Sequence, residues 1–175
     1  GAVRAYDAST GRLLASYAVA AGFLNDVAVT SDAVYVTDSF VQQLIVIPLG
    51  GGRELPAPGD AYALPITGDF AYGPGFNANG IVESGGALLV PNSSTGQLFA
   101  IDPATGHSTE ILPAGSVPAA DGLELRGSTL WVVQNQLNLV RVYGIRGTSL
   151  TLLGTVSSPD LDVPTTLAFA GGQLW

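Results

Sequence analysis

Along most of this chain, apolar and polar residues alternate in runs too short for helices, bounded by Gly, Pro, Asn and Asp. Four stretches carry the pattern in one register. Asn25-Asp26-Val27-Ala28-Val29 leads to Ala33-Val34-Tyr35-Val36, and Asn79-Gly80-Ile81-Val82 leads to Ala87-Leu88-Leu89-Val90. Asp121-Gly122-Leu123-Glu124-Leu125 leads to Thr129-Leu130-Trp131-Val132, and Thr165-Thr166-Leu167-Ala168-Phe169 leads to Gln173-Leu174-Trp175. Each copy is a small polar residue, a short apolar strand, a turn and a second apolar strand. The copies start at 25, 79, 121 and 165. A repeat of roughly 40 to 50 residues built only from strands predicts the blades of a β-propeller.

The repeat continues into outer strands. Asp102-Pro103-Ala104-Thr105-Gly106 reads as the turn between the third and fourth strands of a blade, since Asp bonds its own backbone and Gly accepts a positive φ. Gly144 to Gly147 and Pro48 to Gly52 fall at the same offset, and Asp7-Ala8-Ser9-Thr10-Gly11 copies the Asp102 turn near the N-terminus. Residues 1–20 therefore predict the outer half of a blade. Full blades are predicted at 25–66, 79–113 and 121–156, and 165–175 predicts the inner half of one more. The expectation is an all-β chain forming a single, incomplete β-propeller domain over 1–175. It holds about four blades' worth of material, as an excerpt of a longer six-bladed propeller. The one long connection, residues 57–77, holds Tyr62, Phe70, Tyr72 and Phe76 and reads either as a packed inter-blade loop or as a lid over the channel mouth.

Composition narrows the partners. With 47% apolar residues the chain can bury a sizeable core. The formal net charge is −8, Lys is absent, and the six basic residues are all Arg, so nucleic-acid and anionic-membrane partners are disfavoured. No cysteine is present, which removes disulfides, thiolate zinc sites and cysteine nucleophiles. No apolar run of about 18 residues predicts a transmembrane helix.

The column Asn25, Asn79, Asp121 and Thr165 is the strongest chemical candidate. Equivalent positions on innermost strands converge on one channel, so these residues predict a ring. Three of them offer the hard oxygen donors that suit calcium or another divalent cation. Two amides and one carboxylate bring little charge, so a further ligand is expected from outside this stretch. The competing reading is that Asn and Asp cap the turn that starts each strand. Thirteen and fourteen residues after each start lie the columns Asp38, Asn92, Gln134 and Ser39, Ser93, Asn135. They read as satisfiers of loop backbone or as a layer behind the ring. His107, the single histidine, falls in an outer turn and offers no Ser-His pair. Gly50-Gly51-Gly52-Arg53 is a turn without the Lys-Ser/Thr of a phosphate loop. Asn92-Ser93-Ser94 fits a glycosylation sequon, though at a strand end. Tyr35, Leu89, Trp131 and Trp175 share one register and predict inter-blade core.

The segments Asn25-Asp26-Val27, Ala78-Asn79-Gly80-Ile81 and Ala120-Asp121-Gly122-Leu123 resemble metal-site signatures of one six-bladed propeller superfamily, that of senescence marker protein (regucalcin), gluconolactonases and paraoxonases. The resemblance implies metal contacts from Asn25, Asn79 and Asp121, with calcium as the cofactor. It also implies a proton-transfer role for Asp121 as the catalytic residue of a lactone or ester hydrolase acting on a small molecule. The Pro-Glu-Gly segment that completes the family's ligand set does not occur in this chain, so the 175 residues alone are expected to be inactive. The alternative is a non-catalytic binding propeller for a protein or small molecule. NHL-type and surface-layer propellers have phrasing similar to Asp26–Val29 and Val34–Ser39. An extracytoplasmic location is preferred, because similar bacterial propellers are exported.

Overall fold

The computed structural model describes residues 1–113 and 115–175. The chain is a partial β-propeller with three complete blades between two-stranded sheets. Strands β1 (Ala2–Tyr6) and β2 (Leu13–Ala18) form the first antiparallel pair. Strands β3 (Leu24–Val29), β4 (Ala33–Asp38), β5 (Gln43–Pro48) and β6 (Tyr62–Pro65) form the first full blade, paired in sequence order.

A short β7 (Thr67–Gly68) crosses over to pair in parallel with the outer strand of the second blade. That blade holds β8 (Val82–Ser84), β9 (Ala87–Asn92), β10 (Gln97–Ile101) and β11 (His107–Leu112). The third blade comprises β12 (Ala120–Arg126), β13 (Thr129–Gln134), β14 (Leu139–Arg146) and β15 (Ser149–Ser157). The last pair is β16 (Phe169–Ala170) and β17 (Gln173–Leu174). Among the described residues no helix is long and apolar enough to cross a membrane.

Two-residue periodicity explains how the blades stack. Successive side chains of a strand point to opposite faces of its sheet. Leu88 and Val90 of β9 join Phe99 and Ile101 against Tyr35, Leu44 and Val46 of the preceding blade. Leu89 and Leu98, on the other face, join Leu123, Leu130 and Val132 of the following one. A third, smaller cluster of Val133, Val140 and Leu167 leads to the last pair. The middle blade is thus buried on both faces, which is why β9 and β10 read as nearly continuous apolar runs. Tyr35, Leu89 and Trp131 all pack between blades. Trp175, in the same register, is instead 74% exposed, with its indole N–H donating to the Ala170 carbonyl at 3.2 Å.

The connection 57–77 is a packed element over most of its length. It supplies β6 and β7, buries Ile66 and Phe70, and stacks Phe70 on Phe99 with ring centroids 4.3 Å apart. Gln42 holds it through Nε2, which donates to the carbonyls of Ile66 and Phe70 at 2.9 Å. Near its end, Phe76 lines the cavity beside Asn79.

Candidate functional site

Each of the three full blades breaks its ladder at the ring position. Leu24 pairs with Asp38 and Val27 with Val36, leaving Asn25 and Asp26 opposite one residue. Ala120 pairs with Gln134 and Leu123 with Val132, leaving Asp121 and Gly122 opposite one. The bridge Ala78–Asn92 followed by the pair Val82–Leu89 gives Asn79 the same irregularity. Such bulges bend the strand and re-aim its side chains, and they recur beside active sites.

A hydrogen-bonded hoop links the bulges. The Gly80 N–H donates to the Asp121 carbonyl at 3.1 Å, and the Gly122 N–H to the Thr165 carbonyl at 2.8 Å. In the first blade Thr37 bridges instead: its Oγ1 accepts from the Asp26 N–H at 3.0 Å and donates to the Asn79 carbonyl at 2.6 Å. Thr165 therefore contributes a main-chain oxygen, and its side chain is exposed. The close approach of blades demands glycine here. A Cβ on Gly122 would lie 2.7 Å from Thr166 Cα, and one on Gly80 would meet Leu123 N at 2.9 Å and the Asp121 carbonyl nearer still.

The column Ser39, Ser93 and Asn135 stands directly behind the ring. Ser39 Oγ donates to the Ala78 carbonyl at 2.7 Å, and Ser93 Oγ donates to the Ala120 carbonyl. Each hydroxyl has one proton and has spent it on the next blade, so it can only accept from the ring residue in front. Asn25 Nδ2 accordingly donates to Ser39 Oγ, and Asn79 Nδ2 to Ser93 Oγ, both at 3.0 Å. The serines thus fix which way each amide faces and turn both Oδ1 atoms away from the hydroxyls. In the third blade Asn135 Nδ2 donates to Asp121 Oδ2 at 2.7 Å, leaving Asp121 Oδ1 free of that bond.

The ring residues differ in exposure. Asn25 is exposed and Asp121 partly buried, while Asn79 is only 6% exposed. Asn79 Oδ1 is buried with no hydrogen-bond partner. An orphaned buried acceptor is costly, so its presence calls for a donor or a cation. Burial pushes the Asp121 carboxyl above its usual value; the Asn135 amide opposes this, the Asp26 carboxylate adds to it, and Asn79 opposes it. Oxygen donors of amide and carboxylate type around an unpartnered oxygen fit a divalent cation. Among the described residues there is no cluster of three or more His, Cys, Asp or Glu side chains. Any cation here would rest on amide oxygens together with carboxylate.

Asp26 is the residue that the sequence reading passed over. It stands where the other blades carry Gly80 and Gly122. Its Oδ2 accepts from the Ile81 N–H of the next blade at 3.0 Å, and its Oδ1 accepts from the Val27 N–H at 2.8 Å. Burial raises its pKa, and the two N–H donors offset part of the rise. The available signal was the departure itself: a charged residue where the next two copies carry glycine.

Asp38 and Asn92 serve loop backbone. Asp38 is fully buried and accepts from the N–H groups of Gly22, Phe23, Phe40 and Val41. Burial alone would raise its pKa, but these four donors outweigh burial and hold it below the usual value. Asn92 Oδ1 accepts from Ser94 and Thr95 N–H groups, and its complete burial removes it as a glycan acceptor. His107 is exposed, away from the ring.

Two spaces flank the ring. A channel of about 380 Å³ is lined by inner-strand residues from all four copies, including Asp26, Ile81, Leu123 and Thr166. A cavity of about 400 Å³ lies at the mouth between the second and third blades, lined by Asn79, Ser93, Asn135, Phe76 and Leu137 among others.

No protein-family model matches the chain, and no curated protein does. Solved structures do. Virginiamycin B lyase from Staphylococcus aureus is 15% identical with a TM-score of 0.68, over 99% of this chain and 55% of that one. A protein assigned as a 6-phosphogluconolactonase from Bacteroides uniformis is 16% identical with a TM-score of 0.61, over 90% of this chain and 49% of that one. A chain of the nidogen/laminin complex is 14% identical with a TM-score of 0.69, over 98% of this chain and 61% of that one. The chain spans half to three-fifths of their lengths. At such identities these likenesses show a common β-propeller fold.

Proposed function

We propose that this chain contributes the ring of a divalent-cation site, of the calcium type, at the mouth of a propeller channel, and that the site hydrolyses a lactone or ester. One observation carries the reading: Asn79 Oδ1 is buried, unpartnered and held in orientation by Ser93, beside the Asp121 carboxylate. Asn25, Asn79 and Asp121 would hold the cation. When bound, the cation would polarise an acyl carbonyl.

The remaining chemistry belongs to the chain. Asn135 fixes Asp121 through Oδ2, so Oδ1 is the oxygen able to take a proton from an attacking water. Asp26, whose two oxygens bond to Val27 and Ile81 N–H groups, keeps a second negative charge beside it.

Calorimetric titration of calcium chloride into the protein tests the reading. Binding is expected in the wild type, lost in Asp121→Ala and weakened in Asn79→Ala. A wild type that takes up no divalent cation removes the hydrolase reading. The second reading is a non-catalytic binding propeller, and an exposed aromatic cluster beside the ring, Phe23, Phe40 and Phe76, favours it. Calcium binding without turnover of any lactone or ester, measured on the whole propeller rather than on these 175 residues, would select it.

A further inference from the structure

The outer edge of the third blade is built differently from those of the first two. An edge strand presents a row of unpaired N–H and C=O groups to any further strand, so folds shorten, charge, interrupt or cover it. In the first blade the edge strand β6 is four residues long and ends at Pro65. In the second, β7 pairs along the edge of β11, and the Asp69 carboxylate just beyond it accepts from the Glu110 N–H at 3.0 Å. In the third, β15 runs for nine residues, and among the described residues no strand pairs with its outer side. It holds no charged residue and no proline, and Leu152, Leu153 and Val156 are 51%, 62% and 51% exposed.

The sequence of this strand says what fits against it. Ser149-Leu150-Thr151-Leu152-Leu153-Gly154-Thr155-Val156-Ser157 follows nearly the same chemical order from either end. Antiparallel pairing with a second copy of itself, centred on Leu153, sets Ser149 opposite Ser157, Leu150 opposite Val156 and Thr151 opposite Thr155. Leu152 falls opposite Gly154, which leaves it room. Hydroxyl meets hydroxyl and aliphatic meets aliphatic, which are the cross-strand pairs that stabilise antiparallel sheets. The one irregularity of β15 is a bulge at Leu153, where the pairing with β14 shifts between Val142–Gly154 and Tyr143–Leu152. It falls on the axis, so it displaces both copies alike.

Charge selects the same partner. At a formal net charge of −8 two copies repel one another in general, and β15 is a neutral strip through which they can approach. The arrangement also brings together opposite charges at its ends. The start of β15 lies beside exposed Arg146, and its end runs on to exposed Asp160 and Asp162, so the basic end of each copy meets the acidic end of the other.

We infer that β15 joins two copies of this chain edge to edge across a two-fold axis at Leu153, continuing the sheet of one third blade into that of the other. Such self-pairing closes on itself, so association stops at the dimer. A strand of nine residues spans roughly 30 Å, a contact at the small end of specific interfaces, so the dimer dissociates in the micromolar range. The axis lies on the outermost strand and the polar ring on the innermost, so the inference stands independently of the cation.

Sedimentation equilibrium from about 1 to 500 μM should show monomer and dimer in reversible exchange and nothing larger. Leu153→Lys and Leu153→Glu each set like charges face to face on the axis and should weaken association at least about tenfold, while an equimolar mixture of the two should restore it. The calcium titration should be the same in both variants as in the wild type. Because the chain has no cysteine, Leu153→Cys should oxidise to a disulfide-linked dimer, whereas Ser149→Cys, which faces Ser157 of the other copy, should stay unlinked. A wild type that is monomeric throughout, a dimer that either charged variant leaves intact, a mixture no better than its components, or equal crosslinking at both positions would overturn the inference. So would species larger than a dimer, which would point to head-to-tail contact between the two-stranded pairs at either end of the arc.

Discussion

Asp26 and Asp121 are two carboxylates whose ionised forms the fold disfavours. Both pKa values lie above the ordinary 3.8, by burial first in each case, with Asp26 adding repulsion at Asp121. Their contribution to stability is therefore full below about pH 3.8 and is lost as pH rises through the elevated folded values. A cation needs Asp121 ionised, so protons compete with it. Calcium affinity measured from about pH 4 to 8 should fall as pH falls, with a midpoint above 3.8. Asp26→Asn keeps an oxygen for the Ile81 N–H and removes the repulsion, so it should move that midpoint down. A midpoint unmoved in the variant would show that the two carboxylates do not interact. Asp38 has the opposite sign: its depressed pKa stabilises the fold above 3.8, and that contribution is lost as pH falls through the lowered value. Asp38→Ala would strand four backbone donors and should cost roughly 3–5 kcal/mol in chemical denaturation.

At the scale of strands, the bulge is the unit that presents the ring. It projects the ring side chain while the next N–H reaches the neighbouring blade, and that reach leaves no room for a Cβ at Gly80 or Gly122. Gly80→Ala should destabilise by about 1–3 kcal/mol, the usual cost of overpacking, seen as a lower midpoint in urea. It should also weaken calcium binding, because the Asn79 and Asp121 bulges would be pushed apart. An unchanged midpoint would mean that the blades yield without cost. Much of this was legible in sequence, since Asn-Gly and Asp-Gly recur at one offset from a strand. What the repeat did not carry is how the residues behind the ring act. Ser39 and Ser93 stand fourteen residues on, and their role depends on a proton spent on another blade's carbonyl. Phe23, Phe40 and Phe76 have no common register. Only the folded loops bring them together.

The whole molecule is held by layers between consecutive blades rather than by one central core. The layer between the first two full blades is the largest, and Phe70 is its keystone, contributed by the connection rather than by any strand. Its ring is fully buried on Phe99, its N–H donates to Ser108 Oγ at 2.9 Å, and its carbonyl accepts from Gln42. Phe70→Ala should therefore cost about 3–5 kcal/mol, the range for deleting a buried phenyl ring. Because each layer touches only its neighbours, the loss should be local. Hydrogen exchange should accelerate in β4, β5, β9 and β10, whose side chains form that layer. It should stay near the wild-type rate across β14 and β15, whose side chains pack in the second and third layers and not in the first. Uniform acceleration over all three blades would instead mean that the arc opens as one cooperative unit. The polar ring would then be coupled to every blade at once, and a substitution anywhere in the core would be felt at Asp121.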